Sequence, residues 1–102
     1  MLMHHVAFEL KDDSDTAASI FAEALEEGLR VAPGVHEIVV GTRAAGFTRE
    51  VNDRAFDVGL LVFFKSQADH DAYQVSQAHD DVIALLESQI ASVRVNDTWV
   101  KR

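Results

Sequence analysis

Residues Phe56 to Phe64 read as a β-strand that is apolar on both faces. Val58, Leu60, Val62 and Phe64 fall on one face, and Leu61 and Phe63 on the other, because side chains alternate along a strand. Such a strand needs cover on both sides. The segment Val35 to Gly41, with Ile38, Val39 and Val40, makes the same demand. Any fold for this chain must therefore hide two faces of one sheet.

The rest of the chain supplies cover for only one of them. Met1 to Leu10 alternates, with Leu2, His4, Val6, Phe8 and Leu10 on one face and Met3, His5, Ala7 and Glu9 on the other, which predicts a strand. Lys11 to Asp15 is polar and offers Ser14 or Asp15 as a helix N-cap. Thr16 to Val31 has helical spacing, with an expected apolar stripe of Ala17, Ile20, Phe21, Ala24, Leu25 and Leu29. Pro33 and Gly34 end that helix. Thr42 to Ala55 is unpatterned and reads as a long loop. Ser66 caps a second helix, with Asp69 three residues on. That helix carries Tyr73, is interrupted over Val75 to Ala78 and resumes through Gln89. Val93 to Val100 is the last strand.

The order β-α-β-β-α-β predicts an α+β, ferredoxin-like protomer, with two helical segments on one face of a four-stranded antiparallel sheet. The open apolar face is too large a patch for a small monomer. A second copy packed sheet to sheet, closing a dimeric α+β barrel, is the expected remedy. Residues 1–102 read as a single domain.

Composition narrows the partners. The net charge of 9 − 17 = −8 repels phosphate backbones, so nucleic acid is not expected. The longest apolar run, Val58 to Phe64, is far short of the ~20 residues a membrane span needs. There is no cysteine, and no basic-then-apolar leader opens the chain. A cytoplasmic location is expected.

Four polar residues stand on faces that otherwise read as buried. His4 shares its strand face with Val6, Phe8 and Leu10, and His79 stands at helical spacing from Val82, Ile83 and Leu86. Tyr73 precedes the helix break, and Asp97 shares a strand face with Val93, Val95 and Trp99. An apolar space with a few convergent polar groups is the default place for a ligand. Histidine moves protons near neutral pH. A tyrosine hydroxyl can hold a carbonyl oxygen, and a carboxylate can orient an imidazole. The set suits proton abstraction beside a carbonyl, with no cofactor expected. The plainer reading, core groups satisfied by backbone partners, stays open beside it.

Other residues read as structural. His4 and His5 point to opposite faces, so no metal site is expected from them. His5 and Glu9 face the expected dimer side. His36 and His70 read as surface residues beside turns, and Asp80 and Asp81 as the solvated side of a helix. Asp12, Asp13 and Asp15 read as helix-start acids. Arg43, Arg49 and Arg54 read as part of a solvated loop rather than the mouth of an anion site.

Several segments together resemble the stress-responsive dimeric A/B barrel family, Dabb. They are His4-His5-Val6-Ala7-Phe8-Glu9-Leu10-Lys11-Asp12, Pro33-Gly34-Val35, Phe64-Lys65-Ser66, the Tyr-x5-His segment Tyr73 to His79, and Asp97. The resemblance covers nearly the whole chain in order. It implies a ferredoxin-like protomer, a homodimeric barrel and a cleft between sheet and helices. The family includes a plant olivetolic acid cyclase, which closes a linear polyketide without a cofactor. That likeness implies His79 as general base, Tyr73 as the group holding the carbonyl, and His4 and Asp97 as supporting groups. The chain departs from the family in having Ser76-Gln77 where His-Pro is common. Three functions follow as expectations: a cofactor-independent lyase or cyclase on a small carbonyl compound, a non-catalytic dimeric stress or binding protein, and a cofactor-free monooxygenase of the wider dimeric barrel group.

Overall fold

Alternation at the N-terminus becomes strand β1 (Leu2–Leu10), on which every even residue is buried. The computed structural model describes residues 1–101. After β1 come helix α1 (Asp15–Leu29), strands β2 (Glu37–Thr42) and β3 (Val58–Phe64), helices α2 (Gln67–Gln74) and α3 (Gln77–Leu86), a 3₁₀ turn (Glu87–Gln89) and strand β4 (Ile90–Trp99). The sheet order is β2-β3-β1-β4, and every pairing is antiparallel. This is the expected ferredoxin-like arrangement.

Local chemistry sets the helix boundaries. Ser14 caps α1, its Oγ accepting from the Ala17 N–H at 3.2 Å. Ser66 and Ser76 do the same for α2 and α3, accepting from Asp69 N–H and His79 N–H. The Ser76 hydroxyl also donates to the Tyr73 carbonyl at 2.7 Å. One residue therefore ends α2 and starts α3, and it fixes the spacing between Tyr73 and His79.

The core lies between the sheet and the helices. Phe21, Val58, Val62 and Phe64 are fully buried there, with Phe8, Leu25, Leu29, Leu60 and Leu86 around them. Ile20, expected in the α1 stripe, is instead 62% exposed, and Ala18 is buried. At 3.6 residues per turn Ile20 stands about 140° from the stripe centred on Ala18, Phe21, Leu25 and Leu29.

The Pro33-Gly34 turn brings the chain against α2. Gly34 has φ +82°, and a Cβ there would lie 2.4 Å from the Asp69 carbonyl oxygen. Gly34→Ala is expected to cost more than about 2 kcal/mol, a fall in Tm of about 8 °C or more. Gly46→Ala, whose Cβ meets nothing within 4 Å, is expected to stay near the wild-type Tm. Equal Tm values for the two variants would contradict this close approach.

The loop between β2 and β3 is tied down by its arginines. Arg43 donates from Nε to the Phe56 carbonyl at 2.9 Å, Arg49 bonds Asn52, and Arg94 of β4 pairs with Asp53. The other face of the sheet carries Met3, His5, Val39, Leu61 and Phe63 in register, with no helix over it. Val39 is 48% exposed.

Candidate functional site

The β1–β4 register places His4 directly opposite Asp97. His4 is only 6% exposed, and its Nδ1 lies 2.5 Å from Asp97 Oδ1. An ionised carboxylate can only accept, so Nδ1–H donates, and in the neutral ring Nε2 is left unprotonated. Asp97 sits on the edge strand with its side chain 45% exposed. It reaches the buried histidine from the rim and does not stand inside the core. Val93, Val95 and Trp99 on the same face are likewise exposed, because no helix covers that edge. The expectation that Asp97 enters the closed space is corrected to that extent.

Tyr73 is carried by α2 against Phe64 and His79, each with ring centroids 5.0 Å away. Its residue is 1% exposed. Its hydroxyl bonds no protein group, yet no buried polar side-chain atom among the described residues lacks a partner. Tyr73 lines a cavity between the sheet and the helices. The His79 ring nitrogens are also without a protein hydrogen bond, while the His79 backbone N–H is held by Ser76.

That cavity has a volume of about 310 Å³. His4, Tyr73, Gln74 and His79 are its polar lining, and Leu25, Leu60, Val82 and Val95 are among its apolar walls. A larger open groove of about 540 Å³ lies between α1 and α3, but its ionisable lining is only Glu27 and Asp81. Proton chemistry therefore points to the smaller cavity.

The cavity sets the protonation states. Burial pushes the Tyr73 phenol up to about 12, so it keeps its proton and remains a donor. Burial also lowers the His79 pKa; Asp80 opposes this, and His4 and His70 add to it. His79 is thus held neutral, in the form that accepts a proton. A base works when deprotonated, so any rate that depends on it rises with pH through a midpoint below the ordinary histidine value of about 6.5. Above that midpoint the rate stays level until far into the alkaline range, because Tyr73 retains its proton. NMR titration of the His79 ring checks this, and a midpoint at or above the ordinary value would contradict it.

The structure brings His4, Tyr73 and His79 onto one cavity, with Asp97 behind His4. His36 is exposed as expected. His70 is not the surface residue that the sequence suggests. It is half-buried, with its ring 5.3 Å from His4 and 5.4 Å from Phe64. Its position three residues before Tyr73 on one helix was the available signal, since i and i+3 share a face. Gln74, which lines the cavity, carried no such signal.

Comparison with known proteins adds a family and a fold. Residues 2–100 match the family profile described as the Stress responsive A/B Barrel Domain, Dabb. A search of curated protein sequences finds no significant match. A Dabb family protein with a ferredoxin-like fold from Mesorhizobium loti superposes with TM-score 0.80 at 16% identity, covering 99% of this chain and 97% of that one. A dimeric ferredoxin-like protein of unknown function from Jannaschia sp. CCS1 gives TM-score 0.74 at 22% identity, covering 97% and 98%. A hydroxynitrile lyase from Passiflora edulis gives 0.75 at 18%, covering 98% and 93%. At these identities the likeness is one of fold.

Proposed function

The chain belongs to the stress-responsive A/B barrel family, and on that premise we propose that it binds a small apolar carbonyl compound between sheet and helices and transfers a proton beside the carbonyl. The observation that carries this reading is the pairing of a protonated phenol with a neutral imidazole, both unpartnered, on one apolar cavity. His79 takes the proton from the carbon next to the carbonyl. The Tyr73 hydroxyl donates to the carbonyl oxygen as it gains negative charge. The resulting enolate attacks a second carbonyl of the same molecule in an aldol-type ring closure, and His79 returns its proton to the new alkoxide; the same two groups serve the reverse, lyase direction. His4, fixed by Asp97, supports Tyr73 from across the cavity, with ring centroids 6.2 Å apart. The solved hydroxynitrile lyase of this fold supports small-molecule chemistry as the class.

Binding is the first test. A set of aryl ketones and 1,3-diketones is screened by thermal shift against the native chain and Tyr73→Phe. A compound at ten times its Kd adds about 1.4 kcal/mol, a rise in Tm of roughly 6–11 °C. Shifts that are lost in Tyr73→Phe support the reading. Shifts that are kept in Tyr73→Phe point to a non-catalytic binding barrel instead, and flat curves across the set contradict carbonyl binding.

The open sheet face supports a homodimer. We propose that Leu61, Phe63 and Val39 pack against the same residues of a second copy; a solved protein of this fold is itself dimeric. Sedimentation equilibrium at micromolar concentration is expected to return the mass of two chains, and Leu61→Glu the mass of one. A native chain that sediments as a monomer would remove the barrel.

A further inference from the structure

We propose that His4, His70 and Asp97 form a binding site for a divalent first-row transition-metal ion at the edge of the cavity. These residues come from three separate elements, β1, α2 and β4. One donor atom from each, an imidazole nitrogen from the histidines and a carboxylate oxygen from the aspartate, lies within 4.8 Å of the other two. Two imidazoles and one carboxylate suit zinc, iron or manganese rather than calcium, which takes an all-oxygen shell.

The orienting contacts are in place. His70 Nδ1 lies 3.0 Å from Asp71 Oδ1. With Asp71 accepting Nδ1–H, His70 Nε2 carries the lone pair, which now takes only a long contact of 3.5 Å from the Gln74 amide; this is the carboxylate–imidazole arrangement that commonly holds a metal ligand. His4 packs against the edge formed by the Phe64 and Tyr73 rings, with centroids at 6.3 and 6.2 Å. Bonds of about 2.0–2.2 Å place neighbouring donors roughly 3–3.5 Å apart. The His4–Asp97 pair, now joined through a proton at 2.5 Å, gives up that proton to the solvent on metal binding and opens slightly. The wider separations, up to 4.8 Å, close by about 1 Å. The two members free to move are the ones at the rim, half-buried His70 and half-exposed Asp97. His4 lines the cavity as well as the cluster. Three protein ligands leave a position for water or for an oxygen-bearing ligand entering that cavity.

The test measures metal occupancy, not turnover, so it stands or falls separately from the carbonyl reading. The native chain is stripped with EDTA and titrated with ZnCl₂ by calorimetry and with CoCl₂ by visible absorption. One ion per chain is expected, with cobalt d–d bands and loss of the His4 and His70 ring resonances to paramagnetic broadening. His70→Ala and Asp97→Asn change partly exposed groups, so the fold survives, and alanine is favourable in a helix. Each is expected to weaken zinc binding by at least about tenfold, while His36→Ala leaves it unchanged. No stoichiometric binding below millimolar metal overturns the site. So does binding that both variants leave intact, which would place the ion elsewhere on the surface.

Discussion

His79→Ala is expected to lower the rate of α-proton exchange on a bound ketone by about 10²–10⁴-fold. The alanine removes the one cavity-lining base that burial holds neutral. It leaves Ser76 still capping α3 through the backbone N–H of residue 79. Alanine is favourable inside a helix, and His79 is only half-buried. The fold and the Tm are therefore expected to change little while exchange collapses. Deuterium uptake from D₂O, followed by proton NMR at matched ligand occupancy, gives the rate. Exchange that survives in His79→Ala would hand the base role to another group, His4 first, since its Nε2 is unprotonated in the neutral ring.

Phe64→Ala is expected to have the largest effect on stability. Phe64 is fully buried at the end of β3. Its ring meets those of His4, His70 and Tyr73. Truncating a buried phenylalanine costs about 3–5 kcal/mol, because transfer free energy is lost and a cavity is left behind. For a domain of this size that is a fall of about 15–30 °C in Tm. The same substitution removes the wall that holds three site rings in place, so ligand-induced shifts are expected to vanish at temperatures where the variant is still folded. A Tm within a few degrees of wild type would mean that the β3–α2 junction is not a packed core.

Strand and helix placement was legible because periodicity and caps agreed. Alternation in Leu2–Leu10 and the serines at 14 and 66 reappear as β1 and the capped starts of α1 and α2, and the break expected over Val75 to Ala78 reappears as the junction where Ser76 caps α3. Of the candidate site, His4 was readable from its strand face, Tyr73 from its place before the helix break, and His79 from its spacing to Val82 and Leu86. Two placements were not readable. Asp97 reads as inward from alternation alone, but an edge strand beyond the reach of the helices leaves its inward face open to solvent. His70 looks polar and turn-adjacent in the sequence. Only the Pro33-Gly34 turn packing against Asp69, together with the register of β1 against β3, shows that α2 lies over His4. Asp97 depends on long-range packing that no local pattern encodes, and for His70 the i, i+3 relation to Tyr73 was a local hint that only this packing makes decisive.

The most direct test of proton transfer beside a carbonyl uses the native chain itself. A ketone or 1,3-diketone that raises its Tm is incubated in D₂O near pH 7, with and without protein. Deuterium is expected to enter the carbon next to the carbonyl faster with the native protein than in buffer. The acceleration is expected to fall in Tyr73→Phe and to fade as the pH drops below the His79 midpoint. Tight binding with exchange no faster than in buffer would contradict the acid–base site and leave a barrel that only binds.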